Sequence, residues 1–211
     1  GAEVTIEDMN YDDCVRLAAA QAAQTPRGVI VQDTAWDGYE EIPSWIMQGY
    51  GTMAMEAAEQ LTAAGYRRPT HVIVQAGVGS LAGAVTGFFA NMFPNDPPKV
   101  IVVEADTAAC LHKGAVAGDG SPRIVGGDLE TIMAGLACGE PNTISWDILR
   151  NHATAFAACP DWVSAKGMRM LGSPVKGDPQ VTSGESGAVG LGLLAALCEG
   201  GEYEKFRRAV G

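Results

Sequence analysis

Two kinds of apolar spacing alternate along the chain. Between residues 11 and 24, Val15, Leu17, Ala18, Ala19 and Ala22 form the apolar side of a helix, and Asn10 stands where an N-cap belongs. A longer helix opens at Pro43. Its residues Tyr50, Met53, Ala54, Ala57, Ala58 and Leu61 recur with a period of about 3.6, and Gly65 suits its C-terminal stop. Met47, Met53 and Met55 read as core of that helix. Short runs of the other kind interrupt: Glu3–Glu7 alternates, Gly28–Gln32 is β-rich, and His71–Gln75 and Lys99–Val103 are apolar without alternation. The unalternating runs predict strands covered on both faces. The pattern therefore predicts two βαβ units, residues 3–32 and 71–103, with parallel strands. Residues 106–211 read as mostly helical, broken by Gly-Asp and Ser-Pro turns, with an apolar helix over Ala188–Cys198. The fold class is α/β. A two-strand unit cannot bury its own faces, so the chain is expected to be a piece of a longer one.

Composition narrows the function. The 211 residues are 47% apolar and 18% charged, which supports a packed core and excludes disorder. Fourteen basic against twenty-five acidic residues give a net charge of −11, which argues against nucleic-acid or anionic-membrane partners. No apolar run reaches the roughly eighteen residues of a membrane span. Cys14, Cys110, Cys138, Cys159 and Cys198 show no metal-ligand spacing and read as cytoplasmic thiols, with Cys110 and Cys138 a candidate pair across a loop region. His71, His112 and His152 are isolated, so no metal site is expected.

The strongest chemical signal is the turn Gln75-Ala76-Gly77-Val78-Gly79-Ser80 between a buried strand and a helix. Such a turn exposes consecutive amide N–H groups at the positive end of a helix dipole, a site for a phosphate dianion. Two ligands fit the spacing. Gly77-x-Gly79-x-x-Ala82, with Glu104 closing the next strand, satisfies a dinucleotide fingerprint and points to an NAD(P)-dependent oxidoreductase. A single phosphate monoester such as pyridoxal phosphate fits equally. A non-catalytic phosphate-binding module is the reading from another class.

Five blocks bear on the choice: Asp33-Thr-Ala-Trp-Asp-Gly-Tyr39, Pro43-Ser-Trp-Ile-Met-Gln-Gly-Tyr50, Gln75-Ala-Gly-Val-Gly79, Ile132-Met-Ala-Gly-Leu-Ala-Cys-Gly-Glu-Pro141 and Ser183-Gly-Glu-Ser-Gly-Ala-Val-Gly-Leu-Gly192. In this order they resemble the diaminopropionate ammonia-lyase family, pyridoxal-phosphate enzymes of the tryptophan-synthase β type (fold type II). The resemblance implies parallel sheets with flanking helices, residues 1–38 ending a small domain and residues 39–211 forming part of the large, coenzyme-binding one. It implies a cytoplasmic homodimer acting on a small amino-acid substrate. Family members run to about twice this length, and the family's Schiff-base lysine falls outside this stretch. Lys99, Lys113, Lys166, Lys176 and Lys205 all sit in polar contexts, so the stretch alone is expected to be inactive.

By the same resemblance the reaction eliminates the β-amino group of 2,3-diaminopropionate, leaving pyruvate and ammonia. Asp33, after a strand and on an aromatic loop with Trp36 and Tyr39, matches the base that removes the Cα proton; Asp37 is a weaker rival on that loop. Gln75, Ala76, Gly77, Val78, Gly79 and Ser80 match the phosphate cradle, with the Ser80 hydroxyl a further donor. Glu185 and Ser186 match the turn beside the coenzyme ring, and Gly135 lies in a stretch that runs near the ring. Ser183 or Ser186 also suits a helix N-cap.

Overall fold

A computed structural model describes residues 1–211, apart from the side chain of Glu202. Its centre is a parallel sheet of three strands in the order β1 (His71–Gln75), β2 (Lys99–Ala105), β3 (Ala155–Cys159). His71 pairs with Lys99 and Gln75 with Val103, and on the other edge Ile101 pairs with Ala155. Helix α1 spans Tyr11–Gln24, α2 Glu41–Ala63, α3 Ser80–Met92 and α4 Cys110–Ala117. Then follow α5 (Thr143–His152), α6 (Asp161–Gly172), α7 (Glu185–Glu199) and α8 (Glu204–Val210).

Strand β2 shows why its sequence lacks alternation. Val100 and Val102 face a core shared with Ala54 and Ala58 of α2, Phe89 of α3 and Leu149 of α5. Ile101 and Val103 face a second core with Val163 of α6 and Val189 and Leu193 of α7. Both faces are dry, as a parallel sheet flanked by helices requires. On the second face α6 and α7 approach unusually closely. A Cβ at Gly167 would fall 2.0 Å from the Ala188 carbonyl oxygen, and one at Gly192 would fall 1.9 Å from that of Val163. Backbone meets backbone there, and only glycine fits.

The predicted β1-α3-β2 unit forms, as does α1 with its expected ends; α2 forms too, but opens at Glu41, two residues before the Pro43 expected. The Asn10 side chain accepts from the Asp13 amide at 2.9 Å. Gly65, at φ +86°, donates to Thr62 O, closing α2.

The predicted first βαβ unit does not form. Residues 3–7 and 28–32 are irregular, and Val4, Ile6, Val29 and Val31 are exposed. A strand exists only beside a hydrogen-bonded neighbour, and no described strand lies against either segment. The backbone of residues 30–32 is held instead by the Tyr39 hydroxyl, within 3.0 Å of Ile30 O and accepting from the Gln32 amide at 2.9 Å. Strand β3 falls in the stretch whose pattern is mostly helical, because its sequence, Ala-Phe-Ala-Ala-Cys, carries little β-branched signal. Of the three methionines on α2, only Met47 is core; Met53 and Met55 are about half exposed. All five cysteines are free, so Cys110 and Cys138 do not pair. Among the described residues, no helix is long and apolar enough to cross a membrane.

Candidate active site

The C-terminal ends of parallel strands are where open α/β sheets bind ligands. There β1 runs into the turn 76–79, and α3 begins at Ser80. Gly79 caps α3 in the left-handed region, at φ +103°. A Cβ on Gly79 would lie 2.8 Å from Ser145 Oγ, so both conformation and space demand glycine. Among the described residues, no acceptor meets the amides of Gly77, Gly79, Ser80 or Leu81.

The turn forms one wall of a cavity of about 330 Å³. Gln75, Ala76, Gly77, Val78, Gly79 and Ser80 line it, with Asp33, Gly135 and Ser186. Nearly the whole expected residue set therefore converges on one space. Glu185 is the exception. It opens α7, exposed and outside the lining, and its carbonyl accepts from Ser164. Asp37 is exposed and also outside it. Neither serine of that turn caps α7. Gly184 holds the N-cap position, and the Ser183 hydroxyl bonds to the Gly184 carbonyl.

Asp33 enters the cavity from the loop after residue 32. One carboxylate oxygen, Oδ2, accepts from the Tyr50 hydroxyl at 3.2 Å. Its carbonyl accepts from Ser80 Oγ at 2.9 Å and from Asn142 Nδ2 at 2.7 Å. The Ser80 hydroxyl is thus committed to the protein and does not reach toward a ligand, contrary to the expectation from sequence. The aromatic partners of Asp33 in the cavity are Tyr11 and Tyr50. Trp36 instead stacks on Tyr39, 4.4 Å between centroids, and lines a separate groove.

Burial, and then the negative charge of Asp33, raise the pKa of the Tyr50 phenol above its ordinary value. Tyr11 is raised as well, chiefly by burial. The thiol of Cys138, another lining residue, is pushed up to about 12 by burial and then by Asp12 and Asp33. Asp33 is the one formal charge among the lining residues, and no lysine or arginine joins it. A dianion here would be held by amide hydrogens and the α3 N-terminus rather than by cations.

Sequence reasoning missed Tyr11, Tyr50, Cys138 and Asn142. Tyr50 lies in one of the blocks that carry the resemblance but reads as part of the apolar stripe of α2. Asn142 carried a legible signal, an Asn just before a helical run, and it does cap α5.

The dinucleotide reading fails on Glu104. That side chain is fully buried, with Oε1 accepting from the Leu111 amide at 2.8 Å and Oε2 from the His112 amide at 2.7 Å. It binds the start of α4 and is not open to a ribose.

At the C-terminal edge of an α/β sheet, a strand-turn-helix cradle of unpartnered amides thus faces a carboxylate and a glycine-serine wall. Residues 1–210 match the family described as pyridoxal-phosphate dependent enzyme, and the chain belongs to it, with the fold type II architecture. Among curated relatives, the diaminopropionate ammonia-lyase of Salmonella typhimurium is 55% identical over 205 residues, covering 97% of this chain and 50% of the relative. The Escherichia coli K12 enzyme of that name is 55% identical over 197 residues, 93% of this chain and 48% of the relative. The chain thus spans about half the length of the relatives it matches.

Among solved structures, the Escherichia coli diaminopropionate ammonia lyase in complex with an aminoacrylate-PLP azomethine reaction intermediate superposes with a TM-score of 0.87 at 50% identity, over 97% of this chain and 51% of that one. Maize serine racemase shares the fold, with a TM-score of 0.57 at 23% identity over 69% of this chain and 41% of that one.

Proposed function

We propose that this chain supplies the phosphate cradle and the proton acceptor of a diaminopropionate ammonia-lyase. The enzyme would convert 2,3-diaminopropionate and water to pyruvate and two molecules of ammonia. The observation that carries the reading is the convergence of Asp33 with the unpartnered amides of Gly77, Gly79, Ser80 and Leu81 on one cavity. Those amides fit the phosphate of pyridoxal phosphate, and Gly135 and Ser186, which line the same cavity, would hold its ring. When bound, the coenzyme supplies an electron sink for the pair released at Cα.

The remaining steps belong to the protein. Asp33 accepts the Cα proton, and Tyr50, donating to Oδ2, holds that carboxylate in its working orientation. Departure of the β-nitrogen as ammonia breaks the Cβ–N bond, and hydrolysis of the remaining enamine gives pyruvate and the second ammonia. The lysine that tethers the coenzyme in this family has no counterpart among the lining residues. Lys99 and Lys113 donate to the carbonyls of Val210 and Ile124, and Lys166 pairs with Glu199. On this reading the tethering lysine would come from elsewhere in the catalytic unit. Residues 1–38 would end its small domain, residues 39–211 would form part of its large one, and the whole would act as a cytoplasmic homodimer.

The test is direct. The intact protein as made in the cell, supplied with pyridoxal phosphate and each enantiomer of 2,3-diaminopropionate, should release pyruvate with two equivalents of ammonia. Absence of pyruvate with both enantiomers, in protein that visibly binds the coenzyme, would reject the substrate.

A further inference from the structure

Asn142 is completely buried and ties together three segments that are far apart in sequence. Its main-chain N–H donates to the Val78 carbonyl at 2.8 Å, inside the phosphate turn. Its Oδ1 accepts from the Ser145 amide at 3.0 Å, capping α5. The two hydrogens on Nδ2 go elsewhere, one to the Asp33 carbonyl at 2.7 Å and one to Ser80 Oγ at 2.9 Å. Ser80 Oγ in turn donates to the same Asp33 carbonyl at 2.9 Å, which closes a triangle.

Capping accounts for only half of this side chain. Asp, Ser or Thr would accept from the Ser145 amide about as well as Asn does. What distinguishes Asn is the –NH2 group, and both of its hydrogens are spent on the carbonyl of Asp33 and the first residue of α3.

We propose that Asn142 is a positioning residue that fixes the distance between the proton acceptor Asp33 and the phosphate anchor at the start of α3. The claim rests on the reading of those two groups given above. The Asp33 peptide is pinned from both sides, so its carboxylate projects from a point set relative to Gly79 and Ser80. Loss of such a constraint matters because a misplacement of about 1 Å in reacting groups can cost about a hundredfold in rate.

The discriminating variant is Asn142→Ser in the intact protein. It keeps a competent cap for α5 but cannot reach Asp33. We expect kcat to fall about tenfold or more while the substrate KM stays within about threefold. Coenzyme affinity, read by absorbance titration of stripped protein, should weaken by about threefold to tenfold, the size of one lost hydrogen bond. Val163→Ala serves as the comparison for stability alone. It opens the fully buried core under α6, on the other face of the sheet, and should lower Tm with kcat and coenzyme affinity unchanged.

If Asn142→Ser only loses Tm, as Val163→Ala does, the proposal is overturned. If it does not fold, Ser80→Ala opens the triangle from its other corner and must reproduce the same pair of effects. Failure of both to fold also overturns the proposal, since the cluster would then sustain the fold rather than place the site. Asp33→Asn with undiminished kcat would instead remove the proton-acceptor reading, and the coenzyme titration would still decide the role of Asn142.

Discussion

The Tyr50 hydroxyl lies 3.2 Å from Asp33 Oδ2, although the two residues come from different elements, the middle of α2 and the loop after residue 32. The contact places a neutral donor against the single charged group that lines the cavity. It also explains why Tyr50 is not simply part of the α2 core. Its ring is half-buried and lines the cavity, while its oxygen meets the Asp33 carboxylate.

Tyr50→Phe keeps the ring and deletes the donor. A hydrogen bond to a charged group contributes about 1.5–3 kcal/mol, so kcat/KM should fall about tenfold or more, with Tm nearly unchanged. A second readout tests the electrostatics. Because burial and the Asp33 charge both raise the phenol pKa, Asp33→Asn should bring the Tyr50 titration down in alkaline difference spectra. An unmoved titration would detach the two residues.

Gly79→Ala should damage stability and coenzyme binding together. The left-handed φ of +103° and the 2.8 Å approach to Ser145 Oγ leave no relaxed position for a Cβ. A side chain held in that region costs about 1–3 kcal/mol. Any relief of the strain must rotate the very amides that would face the phosphate. Thermal melts with and without pyridoxal phosphate check this: the variant should melt lower and gain less from the coenzyme than the wild type does.

The phosphate turn was legible in the sequence, because the strand-glycine turn-helix pattern is local. Asp33, Gly135 and Ser186 were reached only through the family resemblance, since tertiary packing brings them to that turn. The amides of residues 77–80 are set by the transition from β1 to α3, and a short run of pattern specifies it. The contribution of Asn142 is not local. Its cap on α5 could be read, but its reach to Asp33 spans a sequence separation of 109 and depends on tertiary packing. Glu104 misled for a related reason. Its place at the end of β2 suits a ribose contact, and only the fold shows that α4 turns back onto it. The strands expected at residues 3–7 and 28–32 had the right composition but no described neighbour, which pattern alone cannot supply.

Thiol reactivity should follow burial. Cys110, Cys138 and Cys159 are buried, and desolvation raises the pKa of each, to about 12 for Cys138 and Cys159. The thiolate is the reactive form, so these three should be nearly silent toward an aromatic disulfide reagent in the native protein. Cys198, exposed on α7, should react first. Cys198→Ser should remove the fastest phase and leave the half-buried Cys14 as the next thiol to react. Reaction of more than that one thiol in the native variant would show that a buried cysteine is open to solvent.

Glu104 gives a pH dependence whose sign is fixed by its surroundings. Burial pushes its carboxyl up from 4.5 to about 8, while the two amide hydrogens of Leu111 and His112 pull the other way and only partly offset it. The folded protein then keeps this proton up to about pH 8, whereas the unfolded chain releases it near 4.5. Between those values the unfolded state binds fewer protons, so stability is full below the lower value and declines as pH rises through the upper one. Glu104→Gln does not titrate and turns its –NH2 toward one of the two amides, leaving that donor unmet at a cost of about 1–3 kcal/mol. The variant should therefore melt well below the wild type at about pH 5, and the gap should narrow toward about pH 9 as the wild type ionises. A gap that widens with pH would mean that the N-terminus of α4 holds the carboxylate ionised throughout, and that Glu104 acts as an ordinary charged helix cap.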